Sequence, residues 1–207
     1  MEFTFFLAEA FNGDIQPWDV PRVTNMYKMF YQAISFNQDL QSWDVSKVTS
    51  MMCMFQNANA FNRDLDSWDV SRVIDMSFMF ADAPTFNGDL QSWDVSRVTI
   101  MSVMFTGAKA FNGDLHSWDV SQVVNMFIMF ARAEAFEGKG DLSAWDVRMV
   151  LNMQQMFELT PHNTMLTLCG FRWASSSTAQ LEFGTGVPDI SYDGEGSICT
   201  CPKGTQY

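Results

Sequence analysis

Two columns of aspartates are the first residues whose spacing suggests chemistry. Asp14, Asp39, Asp64, Asp89, Asp114 and Asp141 form one, and Asp19, Asp44, Asp69, Asp94, Asp119 and Asp146 the other, stepping 25 residues at a time until the last member. Stacked at a strand spacing of about 4.8 Å, such carboxylates would raise one another's pKa and attract a hard cation. That reading gives a calcium-stabilised structural module in which Asp39, Asp64, Asp89 and Asp114 are the metal ligands. The competing reading makes each Asp an acceptor for backbone N–H groups in a turn or at a helix start. The units lack the dense Gly-Asp loop of calcium-binding repeats, which favours the turn and leaves no required cofactor.

Other candidates reduce to packing. Most of the 16 methionines fall in two columns on one apolar stripe, where core packing is a simpler account than copper ligation by thioethers. The tryptophans Trp18, Trp43, Trp68, Trp93 and Trp118 have two readings. They make a sugar-stacking platform if they point outward, and an edge of the core if they are enclosed. Asn12, Asn37, Asn62, Asn87 and Asn112 resemble an asparagine ladder whose amides bond the backbone of the adjacent copy. His116 and His162 are the only histidines, and no nucleophile–base pattern or phosphate loop accompanies them. The chain is therefore expected not to be an enzyme.

These columns exist because the chain is one unit copied about six times. Phe11, Phe36, Phe61, Phe86 and Phe111 lie 25 residues apart, and the sixth copy, from Phe136, carries two extra residues in Glu137–Gly140. A fixed period of this length predicts copies that bury their apolar faces against one another. Within a unit, Val48, Met51, Met54, Phe55 and Ala58 follow the stripe of a short helix. The segment before it, edged by Gly, Asn and Asp, predicts a short strand about Asp39 and Leu40. Asp44, Ser46 and Thr49 remain alternative helix caps.

The phrase Phe-Asn-x-Asp-Leu-x-Ser-Trp-Asp-Val-Ser-x-Val-Thr-x-Met-x-x-Met-Phe-x-x-Ala resembles the BspA-like leucine-rich repeat, in the 25-residue variant of mycoplasma, algal and bacterial surface proteins. The resemblance covers residues 1 to about 160. It implies an α/β fold, a right-handed leucine-rich-repeat-like solenoid with one short parallel strand and one short helix per copy. It also implies a secreted or cell-surface setting with adhesion or recognition as the role. It supplies no functional residues, because the shared columns are the scaffold.

The expected organisation is a repeat solenoid over residues 1–162, a degenerate capping repeat over 163–174, and a linker with the start of a cysteine-rich tail over 175–207. Met1–Ala8 aligns with Met26–Ala33, so the chain begins within a copy, as expected of a piece of a longer gene product. Cys199-Thr200-Cys201-Pro202 and the residues after it resemble the opening of a cysteine-rich extracellular module of the ephrin-receptor or growth-factor-like type. A bridge from Cys169 to Cys199 or Cys201 is one pairing among several, and Cys53 reads as an unpaired apolar residue.

A formal charge of −12 argues against nucleic acid as a partner, since phosphate binding needs a basic stripe. The one basic column, Arg22, Lys47, Arg72 and Arg97, lapses to Gln122 and Met149 and reads as a charge-balancing face. No run of 18 apolar residues is present to span a membrane. The expectation that follows is an extracellular or cell-surface scaffold for a protein or glycan ligand. Its binding face would be the positions that vary between copies: Gln16, Gln41, Asp66, Gln91 and His116.

Overall fold

A computed structural model of the chain describes residues 1–139 and 142–160, together with the backbone of 190–192 and 198–200. Copies lie on one another with equivalent residues in register. Asn25, Ser50, Asp75, Ile100, Asn125 and Asn152 form a line of single-residue parallel bridges, each member pairing with the next.

The expected α/β solenoid, with a strand and a helix in every copy, is not what forms. Among the described residues the regular elements are one turn of 3-10 helix at Leu142–Ala144 and two strands, β1 (Ile190–Tyr192) and β2 (Ile198–Thr200), paired antiparallel. The leucine-rich-repeat-like assignment falls with it. What replaces the predicted helix is a run of overlapping tight turns. Met29, Tyr31 and Ala33 donate their N–H groups three residues back, to the carbonyls of Met26, Lys28 and Phe30. The N–H groups between them, from Met26, Lys28, Phe30 and Gln32, go instead to Ser50, Met52, Met54 and Gln56 of the next copy, at 2.8–3.0 Å. A helix would have used all of them internally.

Alternation of this kind requires left-handed backbone at two positions per copy. Lys28 and Gln32 have φ of 52° and 54°, and each is the third residue of a hydrogen-bonded turn, as in a type II turn. Their equivalents Cys53 and Asn57, Phe78 and Asp82, Val103 and Gly107, and Ile128 and Arg132 share the conformation. The predicted strand about Asp39 and Leu40 is absent for a related reason. Its neighbourhood is tied to the next copy largely through Asn and Asp side chains rather than a backbone ladder. Asn37, Asn62, Asn87 and Asn112 each donate a backbone N–H to the side-chain oxygen of the Asn one copy earlier, at 2.8–3.1 Å.

The core is continuous from Ile15 to Phe157. Phe30 stacks on Phe36 of its own turn at 4.1 Å between centroids and on Phe55 of the next copy at 5.3 Å, nearly parallel. The same pairs recur at Phe55, Phe80, Phe105 and Phe130. Each aromatic pair adds about 0.5–1.5 kcal/mol beyond its buried area. The Met columns, Met26 and Met29 through Met153 and Met156, fill the space between rings and are fully buried.

Candidate functional site

The polar corner between the Asp and Trp columns carries the predicted binding face. Gln16, Gln41, Asp66, Gln91 and His116 are all exposed there. The backbone of Gln16, Gln41 and Gln91 is held from two sides. Gln16, Gln41, Gln91 and His116 donate N–H to Asp14, Asp39, Asp89 and Asp114 at 2.9–3.1 Å. The carbonyls of Gln16, Gln41, Asp66 and Gln91 accept the hydroxyls of Ser42, Ser67, Ser92 and Ser117 from the next copy. Asp64 departs from the pattern and accepts the N–H of Asp89 at 3.1 Å. These bonds restrain the main chain, while residue type varies from copy to copy.

Beneath this row lie the tryptophans. The indole N–H groups of Trp43, Trp68, Trp93, Trp118 and Trp145 donate at 2.8–3.1 Å to the carbonyls of Ile15, Leu40, Leu65, Leu90 and Leu115. All five are enclosed, at most 3% exposed, while Trp18 is 42% exposed. The column therefore offers no outward aromatic platform.

Most members of both Asp columns are turn acceptors: Asp14, Asp39, Asp89 and Asp114 in the first. In the second, Asp44, Asp69, Asp94 and Asp119 take the N–H of the Ser two residues on, at 3.0–3.1 Å. Hydrogen bonds from the Ser46 and Ser96 hydroxyl and N–H groups hold Asp44 and Asp94 below the usual carboxylate range. At Asp114 burial pushes the pKa up, but the His116 N–H and ring outweigh it and the net shift is downward. The His116 ring nitrogen Nδ1 lies 3.0 Å from Asp114. Among the described residues no three His, Cys, Asp or Glu side chains converge on one point.

The sixth copy breaks the corner. Ala144 stands where Ser42, Ser67, Ser92 and Ser117 stand in earlier copies, and Asp146 is clasped by the Nε and Nη2 of Arg148. A groove of about 430 Å³ opens between the His116–Ser121 segment of the fifth copy and Ala144 and Asp146 of the sixth. Reading the sequence located His116 and the two-residue insertion but missed Ala144, although the loss of a column serine was visible there. It also missed the left-handed columns. Cys53 is free and buried, as expected of an apolar position, and burial pushes its thiol up to about 11. Asp141, Cys169, the capping repeat, and the side chains of the cysteine tail lie outside the described residues.

The pattern of one protein family matches residues 1–91 and 62–168, most of the chain. The chain belongs to the family described as Mycoplasma protein of unknown function, DUF285. For this DUF285 chain, comparison with curated proteins and with solved structures finds no match. Among its described residues no helix is long and apolar enough to cross a membrane.

Proposed function

We propose that the chain is a non-enzymatic recognition scaffold, extracellular or at a cell surface, whose exposed row Gln16, Gln41, Asp66, Gln91 and His116 contacts a partner polypeptide. The observation that carries this reading is the two-sided restraint of Gln16, Gln41 and Gln91, with Asp66 held through its carbonyl and His116 through its N–H. Ser hydroxyls from the next copy and Asp carboxylates two residues back immobilise the main chain. A main chain already held in this way has little further backbone entropy to lose on binding. Enclosure of Trp43 through Trp145 removes the flat aromatic surface that would favour a sugar ring, so protein is preferred over glycan. The BspA-like resemblance of the repeat supports the surface setting.

The test compares the chain with a variant carrying alanine at all five positions on arrays of extracellular proteins and of glycans. A protein hit that the variant loses while keeping its melting temperature supports the reading. Equal binding by both proteins, or hits confined to glycans, defeats it.

A further inference from the structure

The junctions between copies are polar. Along the turn run the earlier copy donates and the later one accepts: Phe78, Phe80 and Asp82 give their N–H groups to the carbonyls of Ser102, Met104 and Thr106 at 2.7–3.0 Å. Over the rest of the copy the sense reverses. Ala110 and Val124 donate to the carbonyls of Pro84 and Thr99, Asn112 to the side-chain oxygen of Asn87, and the Trp118 indole to the carbonyl of Leu90, at 2.8–3.1 Å.

At residues 1–24 the same groups stand open. The carbonyls of Glu2, Thr4 and Phe6, which match those of Ser102, Met104 and Thr106, accept no hydrogen bond from a described residue. The N–H groups of Ala10, Asn12 and Thr24 and the Trp18 indole, which match the four donors, have no described acceptor. All seven residues are exposed, and none of their seven counterparts is. Apolar surface follows the same division. Phe3, Phe6, Leu7 and Trp18 are 37–48% exposed. Among the described residues Phe5 has one neighbouring copy to stack on, at Phe30, whereas Phe55 lies between Phe30 and Phe80.

We propose that the face formed by residues 1–24 docks one further copy of this 25-residue repeat, carried by a partner polypeptide. The proposal goes beyond the recognition row and uses none of its side chains. Continuity with the junctions inside the stack decides the occupant. A β-strand does not fit, because each residue along its edge presents an N–H and a C=O together, so strand carbonyls would meet those of Glu2, Thr4 and Phe6. A helix does not fit either, since its N–H groups beyond the first turn are bonded internally. A chain folded as residues 76–99 are folded offers donors at every second residue of its turn run and then acceptors where Ala10, Asn12, Trp18 and Thr24 need them. Its rings cover Phe5 as Phe80 covers Phe55. Main-chain bonds supply affinity here, and the alternating apolar side chains supply specificity.

The probe is a synthetic peptide with the sequence of residues 75–99, titrated by calorimetry into the full chain and followed by amide hydrogen exchange. Saturable one-to-one binding is expected, with exchange slowed within residues 10–24. A peptide carrying Phe78→Pro and Asp82→Pro loses two of the donors and cannot adopt φ of 59° and 50° there, so it should not bind. Trp18→Phe in the chain removes the indole donor and should weaken binding about tenfold. Failure of the unmodified peptide to saturate, equal binding by the proline peptide, or protection confined to residues beyond 24 overturns the proposal. A Trp18→Phe chain that binds as tightly as wild type overturns the register on which it rests. A dimer of the chain alone that protects the same amides gives the face to a second copy of the chain and overturns it as well.

Discussion

Replacing Gln32 by glycine should stabilise the protein, the opposite of what a helix would do. Gln32 has φ of 54° and closes the turn in which Ala33 donates to Phe30 at 3.0 Å. Left-handed backbone costs an L-residue about 1–2 kcal/mol, which glycine does not incur. Against this, glycine adds freedom to the unfolded chain worth about 0.4–1 kcal/mol. The backbone N–H to Gln56 is retained, so the net expectation is a gain of about 0.5–1 kcal/mol. At this chain length 1 kcal/mol moves the melting temperature by about 2–4 °C. In a helix interior the same substitution would lose close to 1 kcal/mol, so the sign alone decides.

The mirror experiment is already written into the chain. Gly107 occupies the equivalent position with φ of 68°, and a Cβ there would lie 2.3 Å from the Asp82 carboxylate oxygen. Gly107→Ala should therefore lower stability by about 1–2 kcal/mol from the backbone alone. It should also disturb the Arg132–Asp82 pair, which spans two copies across the gap that glycine leaves, at 3.4 Å. Urea unfolding of both variants beside wild type gives the two signs. A loss of stability in Gln32→Gly of the size seen in Gly107→Ala would refute the turn assignment for the whole column.

Three further outcomes follow from the same contacts. Trp93→Phe removes the indole donor to Leu65 at 2.8 Å and leaves a buried carbonyl and a void, a loss of about 2–4 kcal/mol readable in a denaturant midpoint. Asp94 titrates below its ordinary value of 3.8, so its contribution is full above that pH and is lost as pH falls through the lower folded value. Melting temperatures followed from neutral into acid solution should drop in that range, and Asp94→Asn, which keeps the acceptor oxygen, should flatten the slope. EDTA should leave the melting temperature of the chain unchanged, because Asp39, Asp89 and Asp114 already bond turn N–H groups and Asp64 bonds the next copy; a clear drop would restore the calcium reading.

Burial was legible in the sequence and backbone conformation was not. Phe, Leu, Met and Val recur at fixed columns, and those columns are the core. The helical stripe misled for a geometric reason. Turns closed three residues back bring Met26, Met29, Phe30 and Ala33 to one side with the same spacing that a helix would produce. Local preference offered no warning, since Met, Lys, Phe, Gln and Ala are all tolerated in helices. Gly107, Asn57 and Asp82 were the hints of positive φ in a column otherwise filled by Leu7, Gln32, Arg132 and Leu159, and the companion column even holds the β-branched Val103 and Ile128. The exposed row Gln16, Gln41, Asp66, Gln91 and His116 was legible as variation against a constant frame. Its restraint by Ser42, Ser67, Ser92 and Ser117 became apparent only when those hydroxyls were placed on carbonyls 26 residues earlier.

Strained backbone of this kind persists only where neighbours over-determine it. Each copy supplies its neighbour with four backbone acceptors along the turn run, a serine hydroxyl, an indole N–H and two faces of stacked rings, and none of these exists for a copy alone. Left-handed residues are thus held by the stack rather than by their own preferences, and stability should be cooperative along it. The sixth copy carries Ala144 in place of the column serine, and the rings beneath are untouched, as Trp145 still donates to Leu115 at 3.0 Å and stacks on Trp118. The scaffold keeps its core where the polar corner above it changes.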